Sequence, residues 1–155
     1  MFAAKGDQQA AIKDFSDAIA KNGDYAAAYN ARGNAWFAAG YDDKALADYD
    51  RTISLAPRNA VYVANRGGTL ARMGKTEEAI AAYTAAIAIN PNYRVAFMRR
   101  GMLYEQAGQE ELAMKDFKVA VAIAPEADSN KWAQETARKR LAVLSMRMDP
   151  PARTS

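Results

Sequence analysis

Small and aromatic apolar residues return along this chain at one fixed interval. Ala11, Ala45, Ala79 and Ala113 are 34 residues apart, and so are Phe15, Tyr49, Tyr83 and Phe117. In every unit the aromatic follows the alanine by one helical turn, so the two share a helix face. Segment 8–21 carries Ala11, Ile12, Phe15, Ala18 and Ile19, the spacing of an amphipathic helix. Segment 128–149 predicts another, with Ala133, Ala137, Leu141, Leu144 and Met148 as its stripe and Trp132 at its flank.

Glycine and proline punctuate the same period. Gly33, Gly67 and Gly101 fall inside helices, where glycine costs up to about 1 kcal/mol against alanine. That cost is tolerable where another helix must approach the backbone closely. Gly6, Gly40, Gly74 and Gly108 are placed to end a first helix in the left-handed conformation. Asp7, Asp42, Thr76 and Gln109 then open the second helix, Asp and Thr as N-caps. Pro57, Pro91 and Pro125 stop the second helix, with Gly23 in that place earlier. The expected organisation is a partial unit over 1–25 (the tail of one helix to about residue 5, then a complete one), full units over 26–59, 60–93 and 94–127, a capping helix within 128–149, and a disordered tail over 150–155.

These residues resemble the tetratricopeptide-repeat (TPR) family over roughly residues 1–127. Its pattern reads Tyr29, Gly33, Trp36, Ala45, Tyr49, Thr52 and Pro57 in the first full unit. The second reads Val63, Gly67, Leu70, Ala79, Tyr83, Ala86 and Pro91, and the third Phe97, Gly101, Tyr104, Ala113, Phe117, Ala120 and Pro125. Thr52, Val63 and Leu70 are mild departures. The resemblance implies an all-α, right-handed superhelical solenoid of antiparallel helix pairs, about three and a half repeats plus the C-terminal cap. It also implies a protein-interaction scaffold that holds a partner's peptide or helix in its concave groove, with no catalysis and no cofactor.

Helical spacing places Asn30, Asn34, Asn65, Arg72, Met98, Arg99 and Met102 on the groove-facing side of the first helices. Amides can bond a peptide backbone, arginine a carboxylate, and methionine adapts to side chains. Some TPR proteins hold a C-terminal carboxylate with two Lys, two Asn and one Arg. Asn34, Asn65 and Arg99 stand at the Asn, Asn and Arg positions, but Asn30 and Val95 replace the lysines, so such binding should be poor. Arg32, Arg66 and Arg100 form one series, and Asp14, Asp48 and Asp116 another that Ala82 interrupts. They read as interhelix ion pairs. Asp42-Asp43, Glu77-Glu78 and Glu110-Glu111 sit in first helical turns, where acids complement the dipole.

Charge and composition narrow the function classes. The chain has no cysteine and no histidine, which removes thiolate and imidazole chemistry and their metal sites. The net charge of +3 is concentrated in residues 129–155, and Arg138-Lys139-Arg140 reads as a solvated outer face. The body lacks the basic stripe of a nucleic-acid binder, and its period is shorter than the 35 residues of RNA-reading helical repeats. No nucleic acid and no membrane insertion are expected, and either side of a bacterial membrane is compatible with the composition. The N-terminal register starts inside a first helix, which leads to the expectation of a fragment whose Ile12, Phe15 and Ile19 mediate self-association, most simply a homodimer.

Overall fold

The computed structural model describes residues 5–150 and residue 152. The described residues form eight helices and no strand: α1 (Lys5–Lys21), α2 (Ala26–Ala38), α3 (Asp42–Leu55), α4 (Ala60–Arg72), α5 (Thr76–Ile89), α6 (Arg94–Gln106), α7 (Glu110–Ala122) and α8 (Lys131–Met148). They fall into two compact units, Met1–Ile89 and Asn90–Ser155. In the first unit α1 packs on α2, α2 on α3, α3 on α4 and α4 on α5. In the second, α6 packs on α7 and α8 covers both.

The turn between paired helices is a Schellman closure. Gly40, Gly74 and Gly108 have φ of +87°, +78° and +76°. The Gly40 N–H donates to Phe37 O and the Tyr41 N–H to Trp36 O, and Gly74 and Gly108 repeat the pattern. This closure is so short that the residue after the glycine is already the N-cap of the next helix. Tyr41 and Gln109 therefore occupy the cap positions, with no side-chain bond. Asp42 and Thr76 are the first helical residues rather than caps, which corrects the sequence reading. A second correction concerns the N-terminus. Gly6 and Asp7 lie within α1, which runs unbroken because Gly6 lacks the left-handed φ that ends the other helices. The helix tail expected before Gly6 falls mostly on residues 1–4, outside the described residues. Of the expected tail 150–155, only Pro150 and Ala152 are described.

The glycines inside first helices do make room for aromatics. A Cβ on Gly33 would lie 2.8 Å from the Tyr49 ring, and one on Gly101 2.8 Å from the Phe117 ring. At Gly67 the approach is looser, 3.1 Å to Ala82 Cβ and 3.3 Å to Tyr83. Ala45, Ala79 and Ala113 are fully buried one turn before these rings. Each pair is thus a close helix crossing filled by one aromatic and one methyl group, the packing that the recurring pattern demands.

Ion pairs fix the pairs further. Arg32 binds Asp48 through two bonds of 2.7 Å, and Arg100 binds Asp116 at 2.7 and 2.8 Å. Their hydrogen bonds with these carboxylates raise the pKa of both arginines. Ala82 leaves no acid at the matching place for Arg66, which turns to the preceding helix and pairs with Asp50 at 2.7 Å instead. Arg32 can reach the same way, donating to Ser16 Oγ at 3.1 Å.

Candidate interaction faces

The face of α2 and α4 in the first unit is built from amides and one stacked arginine. Asn65 Nδ2 donates to Asn30 Oδ1 at 3.0 Å, joining the two helices. The Tyr49 ring passes beside Gly33, and its hydroxyl donates to Asn34 Oδ1 at 2.6 Å. Burial pushes that hydroxyl's pKa up to about 12. Arg72 lies 3.4 Å above the centre of the Phe37 ring. Its guanidinium also binds Asp42 and donates to Phe37 O at 2.6 Å. Arg72 is therefore engaged and neutralised, a correction to its reading as a ready anion ligand. Val61 is exposed at the start of α4. The face is neutral, with amide groups still open to a ligand.

The second unit presents a different face. Arg99 is exposed on α6, and its guanidinium lies 5.2 Å from the centre of the Trp132 ring at the start of α8. Among the described residues Arg99 has no carboxylate partner. Met102 is half-buried nearby in sequence, but Met98 is fully buried and cannot line an accessible surface. The helical spacing that placed Met98 beside Arg99 overlooked how deeply α6 sinks between its neighbours: Ala96, Phe97, Gly101 and Leu103 are buried as well.

Trp132 owes its place to a residue that pattern reading passed over. Arg94 opens α6 where Ala26 and Ala60 open α2 and α4, and it is 1% exposed. Its guanidinium donates to Ala120 O, to Ile123 O at 2.6 Å and to Asp128 O at 2.7 Å. A cation at the C-terminal end of α7 meets the negative end of that helix. The Arg94 backbone N–H donates to Asp128 Oδ2 at 2.8 Å, and Asp128 Oδ1 accepts from Asn130 N at 2.9 Å. Asn130 then caps α8 through the Ala133 N–H at 3.0 Å. This chain of bonds sets the first turn of α8, and with it Trp132, against the α6 face. The one available signal was the break in the Ala, Ala, Arg series.

Along α8, Ala133, Ala137 and Leu144 are fully buried, and Lys131, Glu135, Arg138 and Lys139 face solvent. Two expectations are corrected. Met148 is 42% exposed because α8 runs past its support, and Arg140 turns inward to bind Glu105, with Arg147 on Glu110 at 2.8 Å. Ile12, Phe15 and Ile19 of α1 are each half-buried. A shallow recess of about 600 Å³ lies elsewhere in the first unit, floored by Ile53, Val63, Ala82 and Ala85 and rimmed by Asp50 and Arg66. No described helix is long and apolar enough to cross a membrane.

Paired helices and close Gly–aromatic crossings define an all-α helical-repeat solenoid. Tetratricopeptide-repeat profiles match residues 26–59 and 65–128, and the chain belongs to the tetratricopeptide-repeat family. No curated protein matches it significantly in sequence. Among solved structures, MamA is 19% identical with a TM-score of 0.72, covering 97% of this chain and 94% of MamA, a likeness of fold alone. The second TPR of Spaghetti (RPAP3), bound to the HSP90 peptide SRMEEVD, is 31% identical with a TM-score of 0.62, covering 68% of this chain and 98% of that one. The first TPR of the same protein, bound to the same peptide, is 27% identical with a TM-score of 0.68, covering 79% and 92%.

Proposed function

We propose that this protein is a non-catalytic interaction scaffold that binds a peptide segment of a partner protein on its first-helix faces. The observation that carries the reading is the joined amide pair Asn30–Asn65 on α2 and α4, with Asn34 beside it. Each amide retains donors or acceptors beyond the bond it already makes, which a peptide's backbone can meet. The Spaghetti repeats bound to an HSP90 peptide support the same use of the family fold.

The reading differs from a terminal-carboxylate site. Asn30 and Val95 stand where a carboxylate clamp has lysines, and Arg72 is already neutralised. Recognition then falls on peptide backbone and side chains, without need of a free chain end.

Peptides selected from a random displayed library, titrated into isotopically labelled protein, test this. Amide shifts should concentrate on Asn30, Asn34, Asn65 and the neighbouring turns of α2 and α4. Shifts confined to the recess around Ala81 and Ala85, or failure to select any peptide, would contradict the proposal.

A further inference from the structure

We infer that the corner between Trp36 and Tyr41, at the turn from α2 to α3, binds a trimethylammonium group, with Lys44 as its resident placeholder. The inference goes beyond the peptide-binding reading and stands without it.

The corner grows out of the Schellman turn. Trp36 and Tyr41 are the two residues whose side chains such a closure brings together, since the Tyr41 N–H donates to Trp36 O at 2.9 Å. The matching pairs are Leu70 with Lys75 and Tyr104 with Gln109, so of these closures only this one joins two rings. The ring centres are 5.5 Å apart and the planes lie at 79° to each other. Tyr41 is 52% exposed and Trp36 half-buried, which leaves the corner open to solvent.

A cation already occupies it. Lys44 Nζ is 4.4 Å from the Trp36 ring centre and 5.4 Å from that of Tyr41, both within the roughly 6 Å over which a ring face attracts positive charge. Arg32, Arg51, Arg72 and Arg100 also lie over rings, but each holds a carboxylate. Among the described residues Lys44 holds none. It is the third residue of α3, where the helix dipole opposes a cation, and Glu78 and Leu112 take that place in α5 and α7. The rings therefore hold an exposed ammonium, on a flexible stem, without help from an acid.

A ligand displaces Lys44 if the rings suit it better than a primary ammonium. That group is strongly hydrated through three N–H donors, which the rings replace poorly. A trimethylammonium carries the same charge, has no donor to leave unmet and lays methyl groups on the ring faces. Asp43, exposed in the same turn and in no ion pair among the described residues, adds an attractive charge. Methylated lysine and choline share this chemistry.

Trp132 is the other tryptophan, so Trp132→Phe leaves Trp36 as sole reporter. Choline, titrated at constant ionic strength, should change Trp36 fluorescence saturably. Its neutral tert-butyl analogue should bind at least tenfold more weakly. Tyr41→Leu, which keeps an apolar contact across the turn but removes the ring, should weaken choline at least fivefold with a melting curve near wild type. Tyr41→Phe should bind as wild type does. Lys44→Ala removes the competing cation from an exposed position and should tighten choline at least threefold. N-acetyl-trimethyllysine amide and phosphocholine separate the sources: the tighter of the two marks a methylated protein segment or a choline headgroup, and either supports the site. No saturable change, equal binding of the neutral analogue or of unmethylated lysine amide, or weaker choline binding by Lys44→Ala would each overturn the inference. None of these outcomes touches the peptide-binding reading, which rests on other residues.

Discussion

Both units set an arginine over an aromatic ring, at 3.4 Å from its centre in the first and 5.2 Å in the second, yet they leave the two charges in opposite states. Arg72 lies on Phe37 and is met by Asp42, the first residue of α3. The Arg99 guanidinium is 5.2 Å from the centre of the Trp132 ring, and among the described residues no acid meets it. The first face is neutral and amide-rich, and the second is cationic and aromatic. The difference comes from where the supporting ring is held. Phe37 sits on the same helix pair as its arginine's acid, so charge and countercharge arrive together. Trp132 arrives on a separate helix, whose start is fixed by Arg94 and Asp128 rather than by a carboxylate aimed at the groove. The two units thus differ in whether a carboxylate meets the arginine that lies over the ring.

If Arg94 sets the second face, removing it should have the largest effect on stability. Arg94→Met takes charged hydrogen bonds from three carbonyls, and such bonds are worth about 1.5–3 kcal/mol each before relaxation. A net loss of about 3 kcal/mol is expected. Hydrogen exchange should show it in α7 and the start of α8, with α3–α5 unchanged. Equal loss of protection in both units would mean that Arg94 does not act locally.

The ion pairs come next. Asp116 is 4% exposed and holds a partly buried Arg100, whereas Asp50, paired with Arg66, is 58% exposed. Asp116→Asn should cost about 2 kcal/mol and Asp50→Asn under about 0.5 kcal/mol, because solvent screens the second pair. Urea titration of the two variants would compare them directly.

Smaller again is the effect at the close crossings. Gly101→Ala would drive a methyl to 2.8 Å from Phe117, and overpacking should outweigh the gain of about 1 kcal/mol in helix propensity. Gly67→Ala, with its looser 3.1 Å approach to a methyl group, should be near neutral. The difference in thermal midpoint between the two variants reads this.

Tyr49 adds a pH test confined to the first unit, since Phe117 fills the matching place in the second. Its folded pKa is raised to about 12, chiefly by burial, against an ordinary value of 10. The hydroxyl stays protonated longer in the folded state, so its contribution is intact below pH 10 and is lost as pH rises from 10 to 12. Phenolate absorbance with circular dichroism should show a smaller loss over that range in Tyr49→Phe.

The repeat period carried most of the fold. The Gly–aromatic crossings and the left-handed glycines after first helices follow from residues that recur, because every unit solves the same packing problem, and the buried stripe of α8 follows from its own helical spacing. What sequence reading missed lies where the period breaks. Arg94 replaces an alanine, Ala82 replaces an aspartate and redirects Arg66, and α8 belongs to no full repeat, so Trp132, Arg140 and Arg147 had no counterparts to compare. Met98 shows a different failure: spacing gives the side of a helix, and only packing gives its depth. Asn34 and Arg72 read in the sequence as open side chains, but their partners on α3, Tyr49 and Asp42, decide what they can still bind.

The contrast between the two arginines is tested most directly by titrating one short glutamate-containing probe peptide against Arg72→Ala and Arg99→Ala in parallel, at low and high salt. Loss of the open charge should weaken binding at least tenfold and flatten its salt dependence, while loss of the neutralised one should change affinity by less than about threefold. Equal losses, or a greater loss for Arg72→Ala, would contradict the account.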